Sequence, residues 1–196
     1  MEYFNVSSNK GNLIKGPFII KPEIFFDDRG YFFESWNQSE FNKIISRKVD
    51  FVQDNHSESK FGVLRGLHYQ LEPKAQAKLV RCTKGEVFDV LVDIRKDSDT
   101  FGEWSSVVLN AQNKLQFWIP EGFVHGFISL KDSSEVQYKT NEYWSKDHER
   151  ALLWEDLNLN INWPLANSNE KYKIITNYKD SIAPTLKEIE KSGDLF

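Results

Sequence analysis

Apolar and polar residues alternate with a period of two through most of the chain from residue 17 to about residue 140, a pattern that predicts strands rather than helices. Segments of this kind cover 17–26, 30–36, 50–56, 62–69, 77–83, 86–94, 104–109, 115–119, 123–129 and 134–140. Turn-forming residues separate several of them: Asp27-Asp28-Arg29-Gly30, Lys84-Gly85, Lys96-Asp97-Ser98-Asp99, Asn110-Ala111-Gln112-Asn113 and Lys131-Asp132-Ser133-Ser134. Short strands at this spacing build a sandwich, a jelly roll or a barrel. Two stretches have helical character: 38–45, with Ser39 as its cap, and 184–191, with Pro184 in its first turn. The polar run at 166–171 reads as a surface loop. No internal repeat and no linker rich in Pro, Gly or Ser interrupts the chain, so residues 1–196 form one domain.

Size and composition agree. A chain of 196 residues suits one sizeable core. Its 15 Phe, 7 Tyr and 6 Trp suit pleated faces on which aromatic side chains pack. A formal charge of −4 argues against general binding to nucleic acid or to a membrane surface. The single Cys82, in the alternating run Lys78-Leu79-Val80-Arg81-Cys82, rules out an internal disulfide framework and a multi-cysteine zinc site, and reads as a structural thiol. The N-terminal residues lack a basic region followed by an apolar one, and no apolar run reaches membrane-spanning length. A cytoplasmic soluble protein is expected.

The candidate chemistry is concentrated in two segments. In Gly62-Val63-Leu64-Arg65-Gly66-Leu67-His68-Tyr69-Gln70 a cation and a titratable base lie among glycines and apolar residues. Such a His is a proton carrier, a metal ligand or a satisfied core residue. The second segment, Ile119-Pro120-Glu121-Gly122-Phe123-Val124-His125, carries another His behind a turn. Other segments hold more polar groups than half-buried strands normally tolerate: Arg29 and Glu34 around an aromatic run, Gln53-Asp54-Asn55-His56, Lys78, and Tyr138-Lys139. Each alone fits ion pairs on a solvated face. Together they fit a cavity lined to take an anionic, polar ligand. For a metal, Gln70 stands where a second ligand would be needed, His125 is solitary, and His56 and His148 sit in strongly polar contexts, so none is expected.

These segments resemble the dTDP-4-dehydrorhamnose 3,5-epimerases. The residues that carry the resemblance are Gln53-Asp54-Asn55-His56-Ser57, residues 62–70, Ala75-Gln76-Ala77-Lys78-Leu79-Val80, Val87-Phe88-Asp89-Val90, Asp93-Ile94-Arg95, residues 118–127 and Tyr138-Lys139-Thr140, and the likeness runs from about residue 15 to 186. It implies an all-β, cupin-type jelly roll with short peripheral helices, usually a homodimer, acting on a dTDP-linked 4-keto-6-deoxy sugar. No cofactor is implied, since the substrate's own carbonyl is the electron sink when the proton on carbon 3 or 5 is removed. By the same resemblance His68 is the base, Asp180 its partner, Tyr138 the acid and Lys78 the cation beside the enolate oxygen. Arg29, Glu34, Gln53, Asn55, Arg65, His125, Glu149 and Lys179 match positions that contact the sugar nucleotide, and Trp144 falls where an aromatic ring lies against thymine. Arg29 and Glu34 would reach in from the neighbouring subunit. The chain departs from the family pattern in an apparent insertion at 167–173 and in Asn177-Tyr178, which replace the usual Ser-Glu ahead of Lys179-Asp180. Alternatives with the same framework are an epimerase acting at carbon 3 or 5 alone, a 3,4-ketoisomerase, and a non-catalytic ligand-binding cupin. Tyr138 favours epimerisation over ketoisomerisation, which needs no acid on the opposite face.

Overall fold

The computed structural model describes residues 1–164 and 174–196; the expected loop at 166–171 and the insertion at 167–173 lie outside the described residues. In chain order the elements are β1 (Glu2–Ser7), β2 (Leu13–Lys21), β3 (Phe25–Asp27), β4 (Gly30–Phe32), α1 (Gln38–Ile45), β5 (Gln53–Ser59), β6 (Leu64–Gln70), β7 (Lys78–Lys84), β8 (Glu86–Asp93), β9 (Trp104–Asn110), β10 (Gln116–Ile119), β11 (Phe123–Ser129), β12 (Ser134–Thr140), β13 (Glu149–Ala151), α2 (Tyr178–Ser181) and α3 (Leu186–Ser192). One sheet runs β1-β2-β10-β7-β12-β5 and faces a second in the order β13-β6-β11-β8-β9, while β3 and β4 form a separate ribbon. Every strand pair is antiparallel, and the architecture is the all-β jelly roll expected from the sequence.

Three apolar layers hold the sheets. Between them lie Val80, Cys82 and Val136 from one sheet against Val87, Leu91, Phe123 and Phe127 from the other. On the far side of the five-stranded sheet, Leu64, Leu67, Val90 and Val124 pack under Leu152, Trp163, Leu186 and Ile189 of the C-terminal segments. That sheet is therefore covered on both faces, and all seven residues of β11 are buried. The far side of the six-stranded sheet is capped by α1, where Phe41 meets the Trp118 ring edge-on at 5.0 Å.

Several local expectations are corrected. The strand expected over 17–26 breaks at Pro22, which has no N–H to give to a ladder, and the one over 30–36 stops at Phe32. The cap of α1 is Asn37, whose Oδ1 accepts the Glu40 N–H at 3.2 Å, not Ser39. Pro184 precedes α3, because Thr185 is the cap and closes a capping box with Glu188. Cys82 is the structural thiol expected: it is buried, its Sγ–H donates to the Lys84 carbonyl, and burial pushes it up to about 11.

One irregularity shapes the interior. In a regular strand, residues three apart face opposite sides. Here the pairing of β6 with β11 shifts register between His125 and Phe127, opposite Gly66, and Arg65 and His68 end up facing the same cavity. Gly66 has a φ of +112°, and a Cβ there would lie 2.8 Å from both the Gly126 Cα and the His125 carbonyl oxygen. Both the conformation and the approach require glycine. Gly66→Ala is expected to cost about 1–3 kcal/mol or more in urea unfolding; a midpoint equal to that of the parent protein would show that the two strands can separate freely.

Candidate active site

The two sheets enclose a cavity of about 310 Å³ near one end of the roll. From the five-stranded sheet come Arg65, His68, His125 and Phe127, from the facing sheet Asn55, His56, Ser57, Lys78 and Tyr138, and from the α2 region Asn177 and Asp180. His68 and His125 are direct cross-strand partners, and Tyr138 stands opposite Asn55 on one side and Val80 on the other.

The central contact joins His68 to Asp180. His68 Nε2 donates to Asp180 Oδ1 at 2.7 Å, and the carboxylate is completely buried while the imidazole keeps about a third of its side-chain surface open. Burial pushes the Asp180 carboxyl up, but the hydrogen bond and charge of His68, the Gly66 amide and the Lys179 charge outweigh it and hold it below the usual carboxylate range. With Nε2 committed to Asp180, Nδ1 is the ring nitrogen left to act as a base.

Lys78 projects from β7 and its ammonium donates to the His68 carbonyl at 3.2 Å. Burial draws it down to about 8, against the opposing pull of Asp89 and Glu149. Deeper still, His125 Nε2 and Asp89 Oδ1 share a hydrogen bond of 2.9 Å, both groups being buried. Burial drives this pair towards its neutral forms, raising Asp89 and lowering His125. Tyr138 is raised above the ordinary phenol value, chiefly by burial with a smaller push from Glu149 and against Arg65, so it is a protonated donor at neutral pH.

Seven of the expected site residues thus line one cavity: His68, Tyr138, Asp180, Lys78, Asn55, Arg65 and His125. Arg65 is held at its edge by Ser59 Oγ and the Glu58 carbonyl. Four more lie outside the lining as two polar pairs. Gln53 accepts the Trp144 backbone N–H, and Glu149 pairs with Lys179. Burial raises the Glu149 carboxyl, but Lys179 and His68 more than offset it and leave it below the usual range. Arg29 and Glu34 are not brought to the cavity within one chain: Arg29 pairs with Asp27 at 2.6 Å on the exposed ribbon, and Glu34 accepts from Asn37.

Two residues carry weaker signals in the sequence. Asp89 is an acid set between the apolar pairs Val87-Phe88 and Val90-Leu91 of β8, and Asn177, three residues before Asp180, fits a helix-capping pattern. Gln70 proves structural, since its amide donates to the Lys74 and Tyr143 carbonyls and accepts the Ser145 N–H. Among the described residues no three His, Cys, Asp or Glu side chains form a group that could hold a metal ion.

With this geometry in place, comparison with known proteins is direct. The family model described as dTDP-4-dehydrorhamnose 3,5-epimerase matches residues 12–188. The chain belongs to the dTDP-4-dehydrorhamnose 3,5-epimerase family. It is 62% identical to the family member from Shigella flexneri over 149 residues, 76% of this chain and 82% of that one. It superposes with a TM-score of 0.88 at 40% identity on the Legionella pneumophila epimerase solved with dTDP-4-keto-L-rhamnose, covering 99% of this chain and 97% of that one. A 3′-monoepimerase from Streptomyces bikiniensis, in complex with dTDP-quinovose, matches at 31% identity and a TM-score of 0.86 over 93% of this chain and 89% of that one. The family is one of isomerases with a jelly-roll fold, in agreement with the sheets described above. Among the described residues no helix is long and apolar enough to cross a membrane.

The electrostatics of this epimerase-family site can be checked without substrate. In a carbon-13 NMR titration of the lysine-labelled protein, Lys78 is expected to lose its proton near pH 8. The charge is thus present below that pH and lost above it. A Lys78 midpoint at the ordinary lysine value would show that burial does not depress it.

Proposed function

We propose that this protein inverts carbons 3 and 5 of dTDP-4-dehydro-6-deoxy-D-glucose to give dTDP-4-dehydro-L-rhamnose. One observation carries the reading: His68 on one sheet, hydrogen-bonded to the buried Asp180 carboxylate of α2, faces a phenol and an ammonium on the opposite sheet across one cavity. His68 Nδ1 takes the proton from a carbon beside the C4 carbonyl. The bonding electrons form a C–C double bond and the carbonyl oxygen becomes an enolate. Lys78 lies beside that oxygen and favours its charge. Tyr138 then gives its proton to the carbanionic carbon from the other face, and the carbonyl re-forms. Because base and acid come from opposing sheets, they attack opposite faces of the sugar ring, which is what inversion demands.

Binding follows the same logic. Arg65 suits the pyrophosphate, since a guanidinium fork pairs two oxygens at once. Asn55 and His125 contact the sugar, Gln53, Glu149 and Lys179 flank it, and Trp144, which is 57% exposed, offers a ring to the thymine. Arg29 and Glu34 complete the site of a second copy in a homodimer. The ribbon that carries Arg29 presents Phe26 at 76% and Phe32 at 66% exposure, surface that a partner subunit would cover. Cytoplasmic residence belongs to the same reading, because a doubly charged nucleotide conjugate does not enter a bilayer unaided. The relationship to a 3′-monoepimerase keeps inversion at a single carbon as the second reading.

Incubation with dTDP-4-dehydro-6-deoxyglucose in deuterated water separates the two. Deuterium at both carbons is expected; deuterium at one carbon would establish the single-position reaction, and none at either would overturn the proposal. His68→Asn is expected to lower turnover by about 100- to 10,000-fold, and residual activity within tenfold of the parent would remove it as the base. Tyr138→Phe should leave exchange in place while net inversion falls, since the enolate is then reprotonated from the face it left. Equal loss of exchange and inversion would count against the acid role.

A further inference from the structure

The buried carboxylate of Asp180 does not hold itself in place. We infer that Asn177 is a positioning residue for the base, acting as a clamp that fixes the Asp180 carboxylate by accepting from its backbone and donating to its side chain. The inference rests on the reading of His68 and Asp180 as the proton-abstracting pair. Asn177 Oδ1 accepts the Asp180 N–H at 2.8 Å, and Asn177 Nδ2 donates to Asp180 Oδ2 at 3.1 Å. One amide therefore grips residue 180 at both ends. The Gly66 N–H donates to the same Oδ2 at 3.2 Å, leaving Oδ1 for His68. Every oxygen of the carboxylate is thereby assigned, and its plane is set towards the imidazole.

The chemistry depends on which atoms the side chain at 177 can offer. A carboxylate accepts only, so its plane is fixed by the donors around it. Donors that favour the ionised form also keep Asp180 charged in a site where it is fully buried. Asparagine supplies one acceptor to the single-turn α2 and one donor to the carboxylate. Serine can do both through one hydroxyl, aspartate only the first, and alanine neither. This ordering separates the clamp from simple helix capping, which aspartate satisfies as well as asparagine does.

Asn177→Ser, Asn177→Asp and Asn177→Ala variants of the full chain test the idea. The charged groups around the pair, Lys179 on α2, Glu149 on β13, Lys78 on β7 and His125 on β11, are the same in all of them. Loss of one hydrogen bond to a charged group corresponds to about tenfold in rate. Asn177→Asp is therefore expected to lower kcat about tenfold or more with KM close to the parent value. It should also move the acid limb of kcat/KM to higher pH, because a second carboxylate beside Asp180 favours the imidazolium. Asn177→Ser is expected to restore most of kcat and the original limb, whereas Asn177→Ala should lose both kcat and some stability. An Asn177→Asp enzyme with parental kcat and pH profile would overturn the clamp. A fall in melting temperature confined to Asn177→Ala, with kcat and the acid limb parental in all three variants, would reduce Asn177 to a cap. Neither result touches the base assignment, which stands or falls with His68→Asn and deuterium exchange.

Discussion

Everything chemical in this fold depends on placing a completely buried carboxylate against a histidine that still sees the cavity. Asp180 and His68 are 112 residues apart in sequence, and their contact ties the C-terminal α2 to the centre of β6. An unpaired carboxylate at that depth would be untenable, and stripping one partner from such a buried pair typically costs about 3–5 kcal/mol. Docking of the C-terminal segment and formation of the His68–Asp180 pair are therefore one event. The Val63–Ile175 bridge, the Gly66 amide and Asn177 surround this contact and share the task of holding it.

The remaining electrostatics follow from enclosure. Lys78, His125 and Asp89 are buried between the sheets, where desolvation opposes every charge. The consequence differs by residue. Asp89 and His125 are pressed towards neutrality, while Lys78 sits near its titration point and retains an ammonium that a developing enolate would stabilise further. On the proposed mechanism the site responds to negative charge that appears during reaction rather than to charge already present, which is the condition for favouring a transition state over a ground state.

Much of this was legible in the sequence, for identifiable reasons. The strands at 123–129 and 134–140 are legible at their observed bounds because their apolar residues are bounded by clear turns. The pattern places β5 three residues too early at each end, since its partly buried face is made of Gln53, Asn55, Ser57 and Ser59, and polar residues on both faces erase the alternation. β1 leaves no pattern because only Val6 of its six residues is buried, and β13 because three residues carry no period; both exist by virtue of their neighbours β2 and β6. Among site residues, those in long motifs around Arg65, His68, Lys78, His125 and Tyr138 converge on one cavity. Asp89 and Asn177 went unassigned because their importance lies in what they touch across the fold. Arg29 and Glu34 could be named from resemblance, yet a single chain leaves them on its surface.

The central claim is that Asp180 fixes one tautomer of His68 and so exposes one nitrogen as the base. Nitrogen-15 NMR of the histidine-labelled, ligand-free protein measures this directly. The account predicts that neutral His68 carries its proton on Nε2, bonded to Asp180, with an unprotonated Nδ1, and that Asp180→Asn disturbs this preference. A neutral His68 protonated on Nδ1, or a tautomer indifferent to Asp180→Asn, would contradict it.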